Sequence, residues 1–416
     1  MKSPVEDYLA EVLASVREDR SGAVADYIPE LATAPADRLG IALCTPDGRV
    51  YAAGDADTTF TIQSISKPFA YAAALIDRGP EVVRRSVGVE PSGEAFNELS
   101  LEKESRRPKN PMINAGAITT HQLLVSADAG GDERVHRVQA FFSQLANREL
   151  VIDEDVCASE LSSADRNLAL AHMLRNYGII DVEPHRAVVG YIRQCSVSVS
   201  VRDLAVMCAT LANAGRHPQT GETVMDAAVA RQTMAVMAAA GMYDSAGEWF
   251  TTVGIPAKSG VAGGLIGALP GQCGIAVFSP RLDPHGNSVR GTRVFARLSD
   301  DMGMHLMGVE PSGASVLRDV DATDAETILI LRGPVQFSGA EVILRVMETT
   351  PADRGVLLDL SRVDRFTDVG RRMVLEGLRR VRLEGRSTAI HDPDNTLPDP
   401  DLGDGSFAEI RRSVHP

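Results

Sequence analysis

The sequence predicts a mixed α/β chain in two parts, on three observations. Strand-like runs near both ends of residues 1–308 enclose a long helical middle. A polar, acidic stretch follows at 309–325, and strand and helix patterns then alternate over 326–416. At 416 residues the chain also exceeds what one hydrophobic core normally serves, so two domains are expected. Strands on either side of a helical middle describe an α/β domain interrupted by a helical one, with a cleft where the chain crosses between them.

Taken in order, residues 5–18 (VEDYLAEVLASVRE) carry apolar side chains at helical spacing. Gly40 to Cys44, a turn at Pro46-Asp47-Gly48, and Arg49 to Ala52 predict a hairpin; Thr58 to Ile62 is a further strand. Helices are expected at 70–76, 115–126, 135–147, 163–177 and 202–213. Strand signals return at Trp249 to Val253 (WFTTV), Gly274 to Phe278 and Ser288 to Arg290, with a turn at Asp283 to Asn287. A closing helix is expected over Gly291 to Gly308, and residues 309–325 read as a linker. Beyond it, strands at 326–331, 355–360 and 387–390 alternate with helices at 338–349 and 367–383, which implies a parallel or mixed sheet.

The 56 acidic against 42 basic residues, a formal charge of −14, argue against nucleic-acid binding as the main business. No long apolar run suggests a membrane span, and the N-terminus lacks the apolar core of a signal peptide. Five dispersed cysteines without Cys-x-x-Cys pairing suggest buried free thiols in a reducing compartment, so a cytoplasmic protein is expected. The nine histidines form no ligand-like cluster, so no metal is expected.

The chemistry centres on Gln63-Ser64-Ile65-Ser66-Lys67-Pro68-Phe69. On a helix, residues three apart share a face, which sets the Lys67 amine beside the Ser64 hydroxyl. A serine is a poor nucleophile until something takes its proton, and a desolvated lysine with a depressed pKa can do so. Pro68 has no N–H to donate back to the Ser64 carbonyl, which suits a helix whose first regular turn opens at Ser64. Ser-x-x-Lys is the nucleophile pattern of serine β-lactamases and penicillin-binding proteins, where a Lys-Thr-Gly strand lies beside the nucleophile. Lys258-Ser259-Gly260 provides that second feature, with serine in place of threonine. Backbone N–H groups along it suit the oxygen of a tetrahedral intermediate, and the two motifs together point to acyl transfer.

A closer resemblance rests on blocks occurring in order between about residues 5 and 308. They are VADYIP (24–29), QSISKPF (63–69), PSG (91–93), NPMINAGAI (110–118), SE (159–160), RN (166–167) and QCS (194–196). GMYDSAGE (241–248), PAKSGVAGG (256–264), GIAVFSP (274–280) and GNSVRG (286–291) complete the set. The chain thereby resembles the serine-dependent glutaminases. The resemblance implies a β-lactamase-like fold (an antiparallel sheet plus a helical subdomain) over 1–308 and hydrolysis of L-glutamine to L-glutamate and ammonia. It also implies no cofactor and a homodimer or homotetramer.

By the same resemblance Ser64 is the nucleophile and Lys67 its proton acceptor. Tyr27 and Tyr191 hydrogen-bond near the nucleophile and are candidates to share the proton transfers. The backbone N–H groups of Ser64 and Val261 form the oxyanion hole. Asn114, Glu160, Asn167 and Tyr243 join Tyr191 in holding the substrate's α-amino and α-carboxylate groups. The residue types agree: a zwitterionic head needs an anion for its ammonium, and amides can donate to its carboxylate without adding charge.

Residues 326–416 resemble the STAS domains of anti-sigma-factor antagonists and anion transporters, through VLLDLSRVD (356–364), TDVG (367–370) and the helix that follows. Asp368 stands where the antagonists carry a phosphorylatable serine, and a partner-binding or oligomer-tuning module is the expectation. Two other readings stay open at this point: another Ser-x-x-Lys acyl enzyme such as a β-lactamase or peptidase, and a catalytically silent regulatory protein.

Overall fold

Apolar runs that alternate toward two buried faces build the first unit around one antiparallel sheet. The computed structural model describes residues 5–94, 98–308 and 316–414, and the chain divides into two units, Met1–Gly308 and Val309–Pro416. In the first, α1 (Val5–Val16) and α2 (Pro29–Ala32) lead to the hairpin β1 (Gly40–Cys44) and β2 (Val50–Gly54). β3 (Phe60–Thr61) and a 3₁₀ turn (Gln63–Ile65) open the helical middle. That middle holds α3 (Ser66–Ser86), α4 (Asn114–Gln122), α5 (Gly131–Ala146), α6 (Glu154–Ser162), α7 (Asp165–Asn176) and α8 (Pro184–Cys195). β4 (Ser198–Val199), α9 (Val201–Ala212), α10 (Ala227–Ala240) and α11 (Ala246–Thr252) follow. The strands β5 (Ala257–Ser259), β6 (Gly264–Leu269) and β7 (Cys273–Phe278) and the helix α12 (Val289–Met302) close the unit.

The sheet order is β2-β1-β7-β6-β5, antiparallel throughout. Because successive side chains point to opposite faces, Ile41, Leu43, Leu265, Ile275 and Val277 meet Leu9, Leu13, Phe295 and Leu298 of α1 and α12. Ala42, Cys44, Ile266, Ala268 and Ala276 meet α9 and the helical middle on the other face. Gly274 permits the second contact: a Cβ there would sit 2.2 Å from the Ala209 nitrogen and 2.3 Å from the Ala205 carbonyl oxygen. Only a residue without a side chain lets the α9 backbone lie that close to β7.

Three local expectations are corrected. Residues 249–253 are not a strand: 249–252 lie in α11 and Val253 caps its end. Their β-branched and aromatic character favours a strand locally; burial of Ala246, Trp249 and Val253 on one helical face overrides it, and the Trp249 Nε1–H donates to the Ile255 carbonyl at 2.7 Å. Ser288 to Arg290 is likewise no strand, because the Ser288 hydroxyl caps α12 by accepting from the Gly291 N–H. That helix spans Val289–Met302 and stops at Gly303 in the left-handed conformation, short of Gly308.

The second unit carries β8 (Leu317–Ala322), β9 (Glu326–Val335), β10 (Gly355–Phe366), β11 (Thr388–His391) and β12 (Glu409–Ile410), in the order β12-β11-β10-β9-β8. β9 to β12 are parallel and β8 antiparallel, a mixed sheet as the alternation implied. Helices Phe337–Thr349 and Asp368–Leu383 pack over it through Ile343, Met347, Val374 and Leu378. β8 lies inside the expected linker. As an exposed edge strand it is held by backbone pairing to β9, which leaves no apolar signature; residues 309–315 of that linker fall outside the described ones.

Candidate active site

Ser64 is presented at the crossing between sheet and helices. β3 pairs with β4, and the chain then turns through Gln63, whose φ of 49° is left-handed, into the 3₁₀ turn and α3. Tyr243 is also left-handed, at φ 57°. Non-glycine residues held there cost on the order of 1–3 kcal/mol each and persist only where the surroundings enforce them. Ser64 thus sits in the turn just ahead of α3 and Lys67 in its first turn, with Pro68 where the missing N–H does no harm. β5 brings Lys258-Ser259-Gly260 against this turn, where a Cβ on Gly260 would lie 3.1 Å from Ile65 and 3.2 Å from the Ile62 carbonyl oxygen.

The polar side chains converge in a buried pocket. Lys67 is 1% exposed, and its Nζ lies 2.7 Å from Asn114 Oδ1 and 3.5 Å from Tyr243 Oη. The Tyr243 hydroxyl is in turn hydrogen-bonded to Ser64. Asn114 Oδ1 also accepts from the Tyr191 hydroxyl at 3.4 Å, and its Nδ2 donates to Asn167 Oδ1 at 3.0 Å. Asn114 is not a helix cap, since Ile113 occupies that position. Glu160 lies in the last turn of α6, where no N-terminal dipole favours its charge. Its Oε1 accepts from Tyr27 at 2.7 Å and from Gln63 Nε2 at 3.0 Å. Tyr27 itself is half exposed. Val261 is half-buried beside Ile28 and Val156.

Burial dominates the titration of these groups. It pulls the Lys67 ammonium down to about 7, with the nearby Cys195 opposing. The Lys258 amine is lowered by burial and then by Lys67. Burial raises the Glu160 carboxyl, against the hydrogen bonds from Tyr27 and Gln63. The phenols of Tyr27, Tyr191 and Tyr243 are all raised, first by burial. A neutral Lys67 amine can donate one N–H to Asn114 Oδ1 and keep its lone pair for the Tyr243 hydroxyl. Lys258 stands 3.9 Å from the centroid of the Tyr243 ring and donates to the Ser259 carbonyl at 2.7 Å.

Of the tyrosines, Tyr243, expected among the substrate contacts, is the one bonded to Ser64 and close to Lys67. Tyr27 is bonded to Glu160, and Tyr191 to Asn114. Sequence reasoning assigned no role to Gln63 or to the pair Gln194-Cys195. Both lie within the ordered blocks, so the signal was adjacency to residues already singled out.

The chain matches the Glutaminase family over residues 22–307. It belongs to that family. It is 53% identical to the glutaminase of Corynebacterium efficiens over 404 residues, covering 97% of this chain and 96% of that one. The glutaminase of Corynebacterium glutamicum is 54% identical over 409 residues, 98% of this chain and 99% of the relative. A crystal structure of Mglu in its tris and glutamate form superposes with a TM-score of 0.86 at 47% identity, covering 96% of this chain and all of that one. The activity is therefore that of a glutaminase, an amidohydrolase, which sets aside the β-lactamase and peptidase alternatives. Among the described residues no helix is long and apolar enough to cross a membrane.

Proposed function

We propose that the Ser64 oxygen attacks the side-chain carboxamide of L-glutamine while its proton passes through Tyr243 to Lys67. The observation that carries this reading is the buried path from the Ser64 hydroxyl through Tyr243 Oη to Lys67 Nζ. An amine held near 7 is half unprotonated at neutral pH, which a general base requires. The tetrahedral oxygen is held by the backbone N–H groups of Ser64 and Val261. Collapse expels ammonia, protonated by the Lys67–Tyr243 pair, and leaves a γ-glutamyl ester on Ser64. Water then attacks that ester, losing its proton along the same path, and L-glutamate departs as Ser64 regains its hydrogen.

In this reading Glu160, steadied by Tyr27 and Gln63, takes the α-ammonium, and Asn114, Asn167 and Tyr191 take the α-carboxylate. Tyr243 and Lys258 flank the reacting end, and no cofactor enters the chemistry. Five buried free cysteines suit a cytoplasmic enzyme, and it is assigned a homo-oligomeric state, dimer or tetramer. The deciding measurement is ammonia release from L-glutamine by the wild type and Ser64→Ala in parallel. Loss of turnover with unchanged folding is expected; substantial turnover by the variant would place the nucleophile elsewhere.

The second unit is read as a STAS-like module that binds a protein partner or tunes assembly. It carries a cavity of about 1000 Å³ bordered by Leu344, Met347, Leu375, Gly377 and Arg386. Unchanged kinetics, assembly and captured partners after removal of 309–416 would count against that role.

A further inference from the structure

Gln63 is buried, and it stands immediately before the nucleophile with its backbone in the left-handed region, at φ 49°. The chain is fixed on both sides of it. The Ile62 N–H donates to the Val197 carbonyl at 2.8 Å, and the Ile65 N–H donates to the Ile62 carbonyl at 3.1 Å. The peptide joining Gln63 to Ser64 carries the Ser64 N–H, so the dihedral angles of Gln63 decide where that N–H points. A residue with a Cβ does not keep this conformation unaided. Here the glutamine side chain supplies the hold. Its Nε2 donates to Thr61 Oγ1 at 3.2 Å and to Glu160 Oε1 at 3.0 Å, which uses both amide hydrogens.

Glu160 takes its other donor, the Tyr27 hydroxyl at 2.7 Å, on the same oxygen. Among the described residues no hydrogen bond is made to Oε2, which leaves that oxygen for a substrate ammonium. One side chain therefore joins the carboxylate that reads the α-amino group to the peptide that faces the tetrahedral oxygen. A cation on Oε2 favours the ionised carboxylate, and a charged acceptor strengthens the bond from Gln63. We propose that Gln63 is a positioning residue for the glutaminase reaction, its side-chain amide tying Glu160 to the Ser64 peptide so that filling the α-ammonium site steadies the oxyanion hole. The proposal rests on the roles given above to Glu160 and to the Ser64 N–H. Binding at the unreacting end of glutamine is then felt at the reacting end, where it raises kcat and not affinity alone.

The test measures kcat and KM for L-glutamine across a double-mutant cycle of Gln63→Ala and Glu160→Gln, with thermal midpoints for every variant. Gln63→Ala in the wild type is expected to lower kcat about ten- to hundredfold, the loss of one hydrogen bond to a charged group. KM should move less than about threefold, because Tyr27 still holds Glu160. In the Glu160→Gln background the same change should cost kcat less than about threefold, since the acceptor there carries no charge. Gln63→Gly accepts a positive φ without strain. It should lose kcat like Gln63→Ala while melting no lower, and it carries the measurement if Gln63→Ala folds poorly. A raised KM with kcat unchanged overturns the proposal and makes Gln63 a plain substrate contact. Equal kcat losses in both backgrounds overturn it as well, as does wild-type turnover by Gln63→Gly, because neither leaves a part for the tether. An unchanged KM in Glu160→Gln alone overturns the reading beneath it, by removing the ammonium from Glu160.

Discussion

Lys67 offers the sharpest quantitative test, because burial, with Cys195 opposing, pulls its amine from the ordinary 10.5 to about 7. That displacement corresponds to about 5 kcal/mol against the charged form. If the neutral amine is the base, kcat/KM should follow its fraction: about one half at pH 7, roughly one tenth at pH 6 and roughly one hundredth at pH 5. Ammonia release measured from pH 5 to 9 at constant ionic strength should therefore fall about tenfold per unit on the acid side. Lys67→Met should lose about 10²–10⁴-fold at every pH. The sign of the stability effect runs the other way. The folded-state pKa lies below the unfolded one, so the cost to folding is full below pH 7 and disappears as the pH rises toward 10.5. Lys67→Met is thus expected to melt no lower than the wild type at pH 7 while being inactive. A flat profile between pH 5 and 8, or an inflection near 10, would refute the assignment.

Two further expectations follow from the same geometry. Glu160→Gln should raise KM for L-glutamine roughly 10- to 100-fold, the worth of a charge-assisted contact, while keeping the inflection near 7. An unchanged KM contradicts the ammonium role, and loss of the inflection would assign the acid limb to the carboxylate. Gly274→Ala drives a methyl into the α9 backbone and should cost about 1–3 kcal/mol, lowering the melting midpoint by several degrees; an unaltered midpoint would mean that α9 moves away freely.

Where local pattern and tertiary need agreed, the chain could be read directly. The helices α1, α5 and α7 have burial that repeats at helical spacing, while Gly40–Cys44 and Cys273–Phe278 are short, continuously buried runs that local composition marks as strands. Trp249 to Val253 could not be read this way, because its composition favours a strand while its burial follows a helix. β6 was hidden behind Gly263-Gly264, which punctuates like a turn although Gly264 opens a strand. β8 was invisible for the opposite reason: an exposed edge needs no apolar face.

The order of the residues was enough to mark Ser64 and Lys67, since three positions along near-helical backbone bring two side chains together wherever the segment lies. Their surroundings come from five separate elements. α4 delivers Asn114, α6 Glu160, α7 Asn167, α8 Tyr191 and Cys195, and the turn before α11 Tyr243. Only packing could set the Tyr243 hydroxyl between serine and lysine, or exclude the water that would keep the lysine charged. Proximity across 176 residues and the removal of solvent are properties of the assembled interior, and neither is written at any one position in the chain.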